Sequence, residues 1–224
     1  ITGFSIDTRT ISENEVFVAI KDTRDGHSFI ENAKKSGASC SLVERVNDQI
    51  GMPQLVVSDS LESFQQIARS VRDHFKGKVV GVTGSSGKTS TKDMLSILLG
   101  KGDTLSTRGN LNNHLGIPLT LVQIDSAQHK CAVIEAGINQ VGEMQGHSRM
   151  ISPNLVVISS IGPSHLVGLG SVENVAKEKA LLFRESKNLE KAIFPEDCMK
   201  YECFAEWVNE GKRCTILKKG EPKQ

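Results

Sequence analysis

Aromatic side chains make up only 4% of this 224-residue chain, which leaves no stacking platform for single-stranded bases. A formal net charge of +1 gives no electrostatic reason to expect nucleic acid or a membrane surface as partner. The cysteines, Cys40, Cys131, Cys198, Cys203 and Cys214, are odd in number, scattered and without a CxxC pair. They indicate neither a disulfide framework nor a zinc site, and reduced thiols in a cytoplasmic protein are the simplest account. No apolar run approaches membrane-spanning length and no charged-then-apolar leader opens the chain, which begins at Ile1. What remains, 38% hydrophobic and 24% charged residues, suits an α/β protein with one large or two modest cores.

Chemistry-bearing residues concentrate first between Lys78 and Thr91, KVVGVTGSSGKTST, where a β-branched run breaks into a Gly/Ser turn and a Lys-Thr pair opens an amphipathic helix. Such a turn lets consecutive backbone N–H groups converge on an anion, and the helix N-terminus adds partial positive charge. Gly84, Ser85, Ser86, Gly87, Lys88, Thr89 and Ser90 are therefore candidates to hold the phosphates of a nucleoside triphosphate, with Lys88 as full charge and the Thr89 hydroxyl for Mg²⁺. The strict G-x-x-x-x-G-K-S/T spacing is not kept: Val82 stands where the first glycine belongs, and the glycine is Gly84. The alternative, an ordinary Gly-rich turn between strand and helix, does not account for the Lys-Thr-Ser that follows.

Upstream, short strand-like runs (Phe4 to Asp7, Val16 to Ile20, Cys40 to Glu44, Gln54 to Ser58) surround a helical stretch from Ser28 to Lys35 that Gly37 should end. A second helix is expected from Leu61 to Phe75, with Asp59 and Glu62 as a capping box. Residues 1–76 thus read as a small α/β domain and residues 77–224 as a second one. In the second, strands (Lys78 to Thr83, Asp103 to Ser106, Cys131 to Glu135, Leu155 to Ile161, Lys191 to Phe194, Arg213 to Leu217) alternate with helices (Thr89 to Leu99, His114 to Val122, Glu143 to Met150, Val172 to Ser186, Met199 to Asn209). Apolar strands without alternation, interleaved with helices, predict a mostly parallel sheet covered on both faces. The Lys/Pro-rich end from Lys218 is expected to fray.

Ligands of open α/β sheets sit beyond the carboxyl ends of the strands. There the CAVIE strand ends on Glu135, and the LVVISSIG strand runs into Pro163, Ser164 and His165. A carboxylate and an imidazole on neighbouring strand ends suit a metal beside Thr89, although Glu135 alone equally suits a helix cap and His165 a loop or core position. On a helical wheel Lys179 shares a face with Val172, Val175, Ala176 and Phe183. An ammonium there must be neutralised, paired or used, unless its stem snorkels to solvent. The segments TRGNLNNH (Thr107 to His114) and NQVGE (Asn139 to Glu143) offer carboxamides either to a ligand or to turns, and Arg9 of SIDTRT offers a guanidinium to a phosphate or to solvent.

These strings together resemble the Mur ligases. TGSSGKTSTK is similar to the family's ATP loop, with the same displaced glycine, and GNLNNHLGIPLTL, IEAGINQVGE, IGPSHLVGLGS and VAKEKALLF are similar to segments of its dipeptide-adding branch. SIDTRT, VFVAI and DGHSFIENAKKSGA resemble the N-terminal domain shared with the neighbouring branch, so the likeness runs from Ser5 to about Phe183. It implies an ATP-dependent ligase of peptidoglycan precursor synthesis joining D-alanyl-D-alanine to UDP-N-acetylmuramoyl-tripeptide through an acyl phosphate, in the cytoplasm and as a monomer. It implies catalytic roles for Lys88, His165 and Lys179, and two Mg²⁺ ions: Thr89 and Glu135 for the first, His165 for the second. Lys179 would be carried as a carbamate that also serves the metal. Ser5, Thr8, Arg9, Asn112, Asn113 and Asn139 would contact substrate. Ala136 departs from the larger apolar residue expected after the glutamate, and the family's C-terminal domain is not supplied, so a fragment with weak nucleotide binding and poor turnover is expected. The competing readings are another Mur-type or a folylpolyglutamate-type acid-amide ligase, or a non-catalytic nucleotide-binding module. A guanine switch lacks its parts: the D-x-x-G at Asp48 lies upstream of the loop and no N-K-x-D follows.

Overall fold

The computed structural model describes residues 1–218 and Gly220; the remainder of the expected frayed end lies outside the described residues. Two compact units divide the chain, Ile1–Val71 with Leu121–Gln123, and Arg72–Thr120 with Ile124–Gln224. The first contains β1 (Gly3–Ser5), β2 (Glu15–Val18), α1 (Ile30–Lys35), β3 (Cys40–Val43), β4 (Gln54–Val56) and most of α2 (Ser60–His74). Its four strands are parallel in the order β1-β2-β3-β4. Phe17, Ala19, Ile30, Ala33, Val43 and Met52 form its core. The first helix is shorter than the apolar spacing suggests, because Gly26–Phe29 is wound as a 3₁₀ turn capped by the Asp25 carboxylate, which accepts the His27 N–H at 3.0 Å. Gly37, at φ 104°, follows its end. At the start of α2, Asp59 Oδ1 accepts the Glu62 N–H at 2.7 Å.

The second unit holds β5 (Lys78–Thr83), α3 (Lys88–Leu98), β6 (Thr104–Ser106), α4 (Gly116–Leu121, its last residue grouped with the first unit), β7 (Cys131–Glu135) and α5 (Glu143–Ile151). It continues with β8 (Leu155–Ile158), α6 (Leu166–Leu169), α7 (Val172–Arg184), β9 (Lys191–Pro195), α8 (Glu202–Asn209) and β10 (Cys214–Leu217). All six strands are parallel in the order β10-β9-β8-β5-β7-β6, so β5 lies between β7 and β8 where the winding reverses. That is the switch point at which open α/β sheets bind ligands. Helix α3 packs on β5, β6 and β7, while α7 packs on β5, β8 and α5. Phe183, Phe194, Phe204 and Trp207 meet with ring centroids 4.9 to 6.2 Å apart, seating α7 and α8 near β9. Each such ring pair is worth roughly 0.5–1.5 kcal/mol beyond its buried area. No helix among the described residues is long and apolar enough to cross a membrane.

Three further elements differ from the sequence expectation. Strand β8 stops at Ile158 instead of Ile161, because Ser159 and Ser160 turn their hydroxyls to the Ser86 carbonyl at 2.5 and 3.1 Å. The helix expected from Met199 is broken at Tyr201, extended at φ −96° and ψ 128°, into a 3₁₀ turn (Glu196–Lys200) and α8. The short α6 falls where a loop was expected, its N-cap His165 in the left-handed region at φ 50°.

Candidate active site

Strand β5 runs through the buried Val82 to Thr83, whose hydroxyl donates to the Ala136 carbonyl at 2.7 Å. The chain then turns at Gly84, φ 157°, where an added Cβ would overlap Ser159 Oγ. Backbone and side-chain bonds lace the loop to the end of β8: Ser85 N–H donates to the Ser160 carbonyl (2.9 Å), Ser85 Oγ to the Gly162 carbonyl (2.8 Å), and Ser164 Oγ to Ser85 Oγ (3.1 Å). Gly87, in the left-handed region at φ 77°, caps the eleven-residue α3 without a side-chain partner. Its first N–H groups therefore face outward unsatisfied by a cap, the arrangement that attracts anions. Lys88 reaches back to the Gly84 carbonyl (2.8 Å), which keeps its ammonium over the loop. Thr89 and Ser90 stand exposed on the first turn.

Glu135, at the carboxyl end of the neighbouring β7, is 1% exposed. Its Oε2 accepts the Thr89 hydroxyl at 3.0 Å and its Oε1 accepts Asn112 Nδ2 at 2.7 Å. The Glu135 N–H donates to Thr107 Oγ1 at 2.9 Å, and the Gly137 N–H to the Asn112 carbonyl at 2.8 Å. Both carboxylate oxygens thus have neutral donors, and among the described residues no cationic side chain pairs with them. A buried anion bonded only to neutral groups is a place for a cation.

Lys179, midway along α7, is also 1% exposed, so its stem does not snorkel. No carboxylate of the described residues lies within ion-pairing distance of its amine. Burial pushes its pKa down to about 7, and the like charge of Lys88 adds to the shift. The two lysines therefore share one electrostatic neighbourhood, which favours the neutral amine of Lys179 over its ammonium far more than water would.

The remaining candidates are placed differently. His165 is exposed at the start of α6, tied to the phosphate loop through its neighbour Ser164. No group of three or more His, Cys, Asp or Glu side chains among the described residues forms a metal cluster, so any metal here relies on Thr89 and Glu135 with further donors. Asn113 Oδ1 accepts from the Leu115 and Gly116 N–H groups at 3.2 and 2.9 Å, which caps α4. Asn139 is exposed, its N–H given to Glu143 Oε2 at 2.7 Å. In the first unit Ser5 is buried and bonded to the Asp7 carbonyl, Thr8 is half-buried, and Arg9 forks onto Asp7 at 2.6 to 3.1 Å, holding that carboxyl down at about 2. Sequence reasoning missed the bracing of Glu135 by Thr107 and the serines of β8's end that grip the loop. Their one sequence signal is a cluster of small polar residues after an apolar strand. Beside Gly162 a cleft of about 750 Å³ opens along the same edge, lined by Pro163, Glu173, Lys177, Lys200 and Tyr201.

A P-loop at the switch point of a parallel sheet, with a buried acid on the adjacent strand, defines a nucleotide-binding α/β domain. Comparison with known proteins narrows the class: residues 82–224 match the Mur ligase middle domain, and the chain belongs to the Mur ligase family. Over 185 residues it is 41% identical to the UDP-N-acetylmuramoyl-tripeptide--D-alanyl-D-alanine ligase of Escherichia coli (strain K12), covering 82% of this chain and 40% of that protein. The crystal structure of MurF from Acinetobacter baumannii superposes with a TM-score of 0.84 at 33% identity, over 98% of this chain and 48% of that one. The MurF ligase of Thermotoga maritima, solved in complex with ADP, gives 0.81 at 28% identity over 98% of this chain and 51% of that one. The chain thus spans about half the length of the relatives it matches.

Proposed function

We propose that this chain carries the nucleotide site of a ligase that joins D-alanyl-D-alanine to UDP-N-acetylmuramoyl-tripeptide at the expense of ATP. The observation that carries the reading is the Thr89–Glu135–Asn112 chain at the mouth of the phosphate loop, beside two amines of which one is buried without an anionic partner among the described residues. It is supported by the likeness to enzymes of that name and to a solved relative holding ADP. The uncapped N-terminus of α3 and Lys88 fit a polyphosphate; the buried Glu135 and the Thr89 hydroxyl fit Mg²⁺.

The residues divide the work by charge. The α3 N–H groups and Lys88 hold phosphate oxygens and offset the repulsion between a carboxylate nucleophile and a polyanion. Glu135, braced by Asn112 and Thr107, would hold the first metal with Thr89, and His165 is positioned on the loop side for a second. Lys179 as a neutral amine can add CO₂: the nitrogen lone pair bonds to the carbon, one proton leaves, and the product is an anion in place of a buried cation. That exchange removes the desolvation problem and adds a metal ligand. When bound, ATP with its magnesium supplies the phosphoryl group that activates the peptide carboxylate for displacement by the amine. Asn112, Asn139, Ser5, Thr8 and Arg9 are the proposed substrate contacts. With both ATP and a UDP-linked substrate required, the reaction belongs to the cytoplasm.

Phosphate release by the full-length protein, assayed with a panel of acceptors, tests this. The reading expects turnover only with the UDP-linked tripeptide and D-alanyl-D-alanine together. Preference for another amino-acid acceptor or for a folate would reassign the branch, and nucleotide binding without turnover on any pair would leave a binding module.

A further inference from the structure

The segment Asn139–Gly142 follows β7, the strand of Glu135, and three separate elements fix it. Glu143, first residue of α5, reaches back so that its Oε2 accepts the N–H groups of Asn139 (2.7 Å) and Gln140 (3.3 Å). Gly168 of α6 lies so close to the Asn139 carbonyl that an added Cβ would overlap it. Glu178 of α7 accepts the Gly142 N–H at 2.9 Å through Oε1. Asn139 is thereby held at both its N–H and its carbonyl while remaining exposed.

Glu178 is the unusual member. It is 6% exposed, and its Oε2 is buried without a hydrogen-bond partner among the described residues. A carboxylate in that position loses hydration that one bond to a loop N–H does not return, so packing alone would favour an apolar residue. What the carboxylate does supply is a cap, from a neighbouring helix, for an α5 N-terminus whose own N-cap, Gly142, has no side chain. Glu178 also directly precedes Lys179, so one helix carries both the buried amine and the anchor of the Asn139 loop.

We infer that Glu178 is a positioning residue: it fixes the Asn139–Gly142 loop relative to Lys179, and acts on the reaction through Asn139. The inference rests on the ligase reading above. If it is right, Glu178→Ala in the full-length protein lowers kcat/KM about 10-fold in an otherwise wild-type chain and less than about 2-fold in an Asn139→Ala chain. Glu178→Gln, which keeps an acceptor at the same reach, restores most of the activity; Glu178→Asp, one methylene shorter, behaves as the alanine. In the unliganded protein Glu178→Ala also speeds amide hydrogen exchange at Asn139–Gly142 and spares α7. Should the alanine variant fail to fold, the glutamine and aspartate pair carries the same comparison. Additive losses in the double variant, or unchanged exchange in the loop, would overturn the inference. A wild-type protein without ligation would instead defeat the ligase reading, and amide exchange alone would then decide whether Glu178 fixes the loop.

Discussion

The two edges of the six-stranded sheet handle charge in opposite ways. At the amino edge, charges are exposed and paired with one another: Lys78 with Glu190 and Lys130 with Asp103, each at 2.5 Å. Nearby, the buried Arg72 gives its guanidinium to the carbonyls of Ile151 and Ser152 and to Asn154 Oδ1 at 2.7 to 3.2 Å, so that charge too is satisfied. At the carboxyl edge, Glu135 and Lys179 are buried, and among the described residues Lys88, Glu135 and Lys179 all lack an oppositely charged side chain in pairing range. An edge that only had to fold would pair these groups or replace them with apolar ones. Leaving them unpaired makes sense where a polyanion and a cation are to arrive from outside.

Breaking the carboxyl edge should cost most at Lys88. Lys88→Met is expected to lower ATP-dependent phosphate release by about 10³-fold or more, measured as initial rates, because one full positive charge facing the phosphates disappears. Lys179→Ala should follow, with a loss of roughly 10²-fold that small carboxylates partly reverse; unchanged rates would leave the buried amine without a catalytic role. The sign of its pH dependence is fixed. A lysine pKa lowered to about 7 means the cost of the buried cation is fully present below that pH and is relieved as pH rises toward the ordinary 10.5. Activation by added bicarbonate should therefore be stronger at pH 8 than at pH 6, as read from rates in CO₂-depleted buffer.

Glu135→Gln sharpens the contrast further, since it keeps acceptor and donor groups for Thr89 and Asn112 and removes only the charge. Nucleotide affinity should lose most of its Mg²⁺ dependence in titration calorimetry, while the thermal midpoint holds or rises. A different buried group controls acid stability. His147 of α5 is pushed down to about 4 by desolvation, with the Glu143 carboxylate opposing and His114 adding to the shift, and its Nδ1 has no hydrogen-bond partner among the described residues. The folded state thus refuses a proton that the unfolded chain accepts, so stability falls as pH drops from 6.5 to about 4, by up to roughly 3 kcal/mol. His147→Leu should flatten that slope in urea titrations. Smallest of all, Lys78→Ala at the amino edge should leave nucleotide affinity and the thermal midpoint within replicate scatter, as exposed pairs contribute little.

Much of this contrast was legible in the residues. The bounds of β5 and β7 match the apolar runs Lys78 to Thr83 and Cys131 to Glu135, because strands buried on both faces carry an unbroken β-branched signal. The wheel on α7 put Lys179 inward, and it is inward. What escaped depends on contacts distant in sequence. Asn112 binds a carboxylate 23 residues on, and Asn113, alike by composition, caps a helix. Glu178 carries no periodic signal that would separate it from a surface acid, and α6 is a single turn whose left-handed N-cap, His165, no propensity favours. Tertiary partners decide Asn112 and Glu178.

The central claim is that the unpaired charge at the carboxyl edge is a magnesium-nucleotide site. Anomalous diffraction from crystals of the full-length protein grown with Mn²⁺ and a non-hydrolysable ATP analogue tests it most directly. A manganese peak in contact with Glu135 and Thr89, beside phosphates seated on the α3 N-terminus, is the predicted result; bound nucleotide with its metal elsewhere, and Glu135 still bonded only to Thr89 and Asn112, would contradict it.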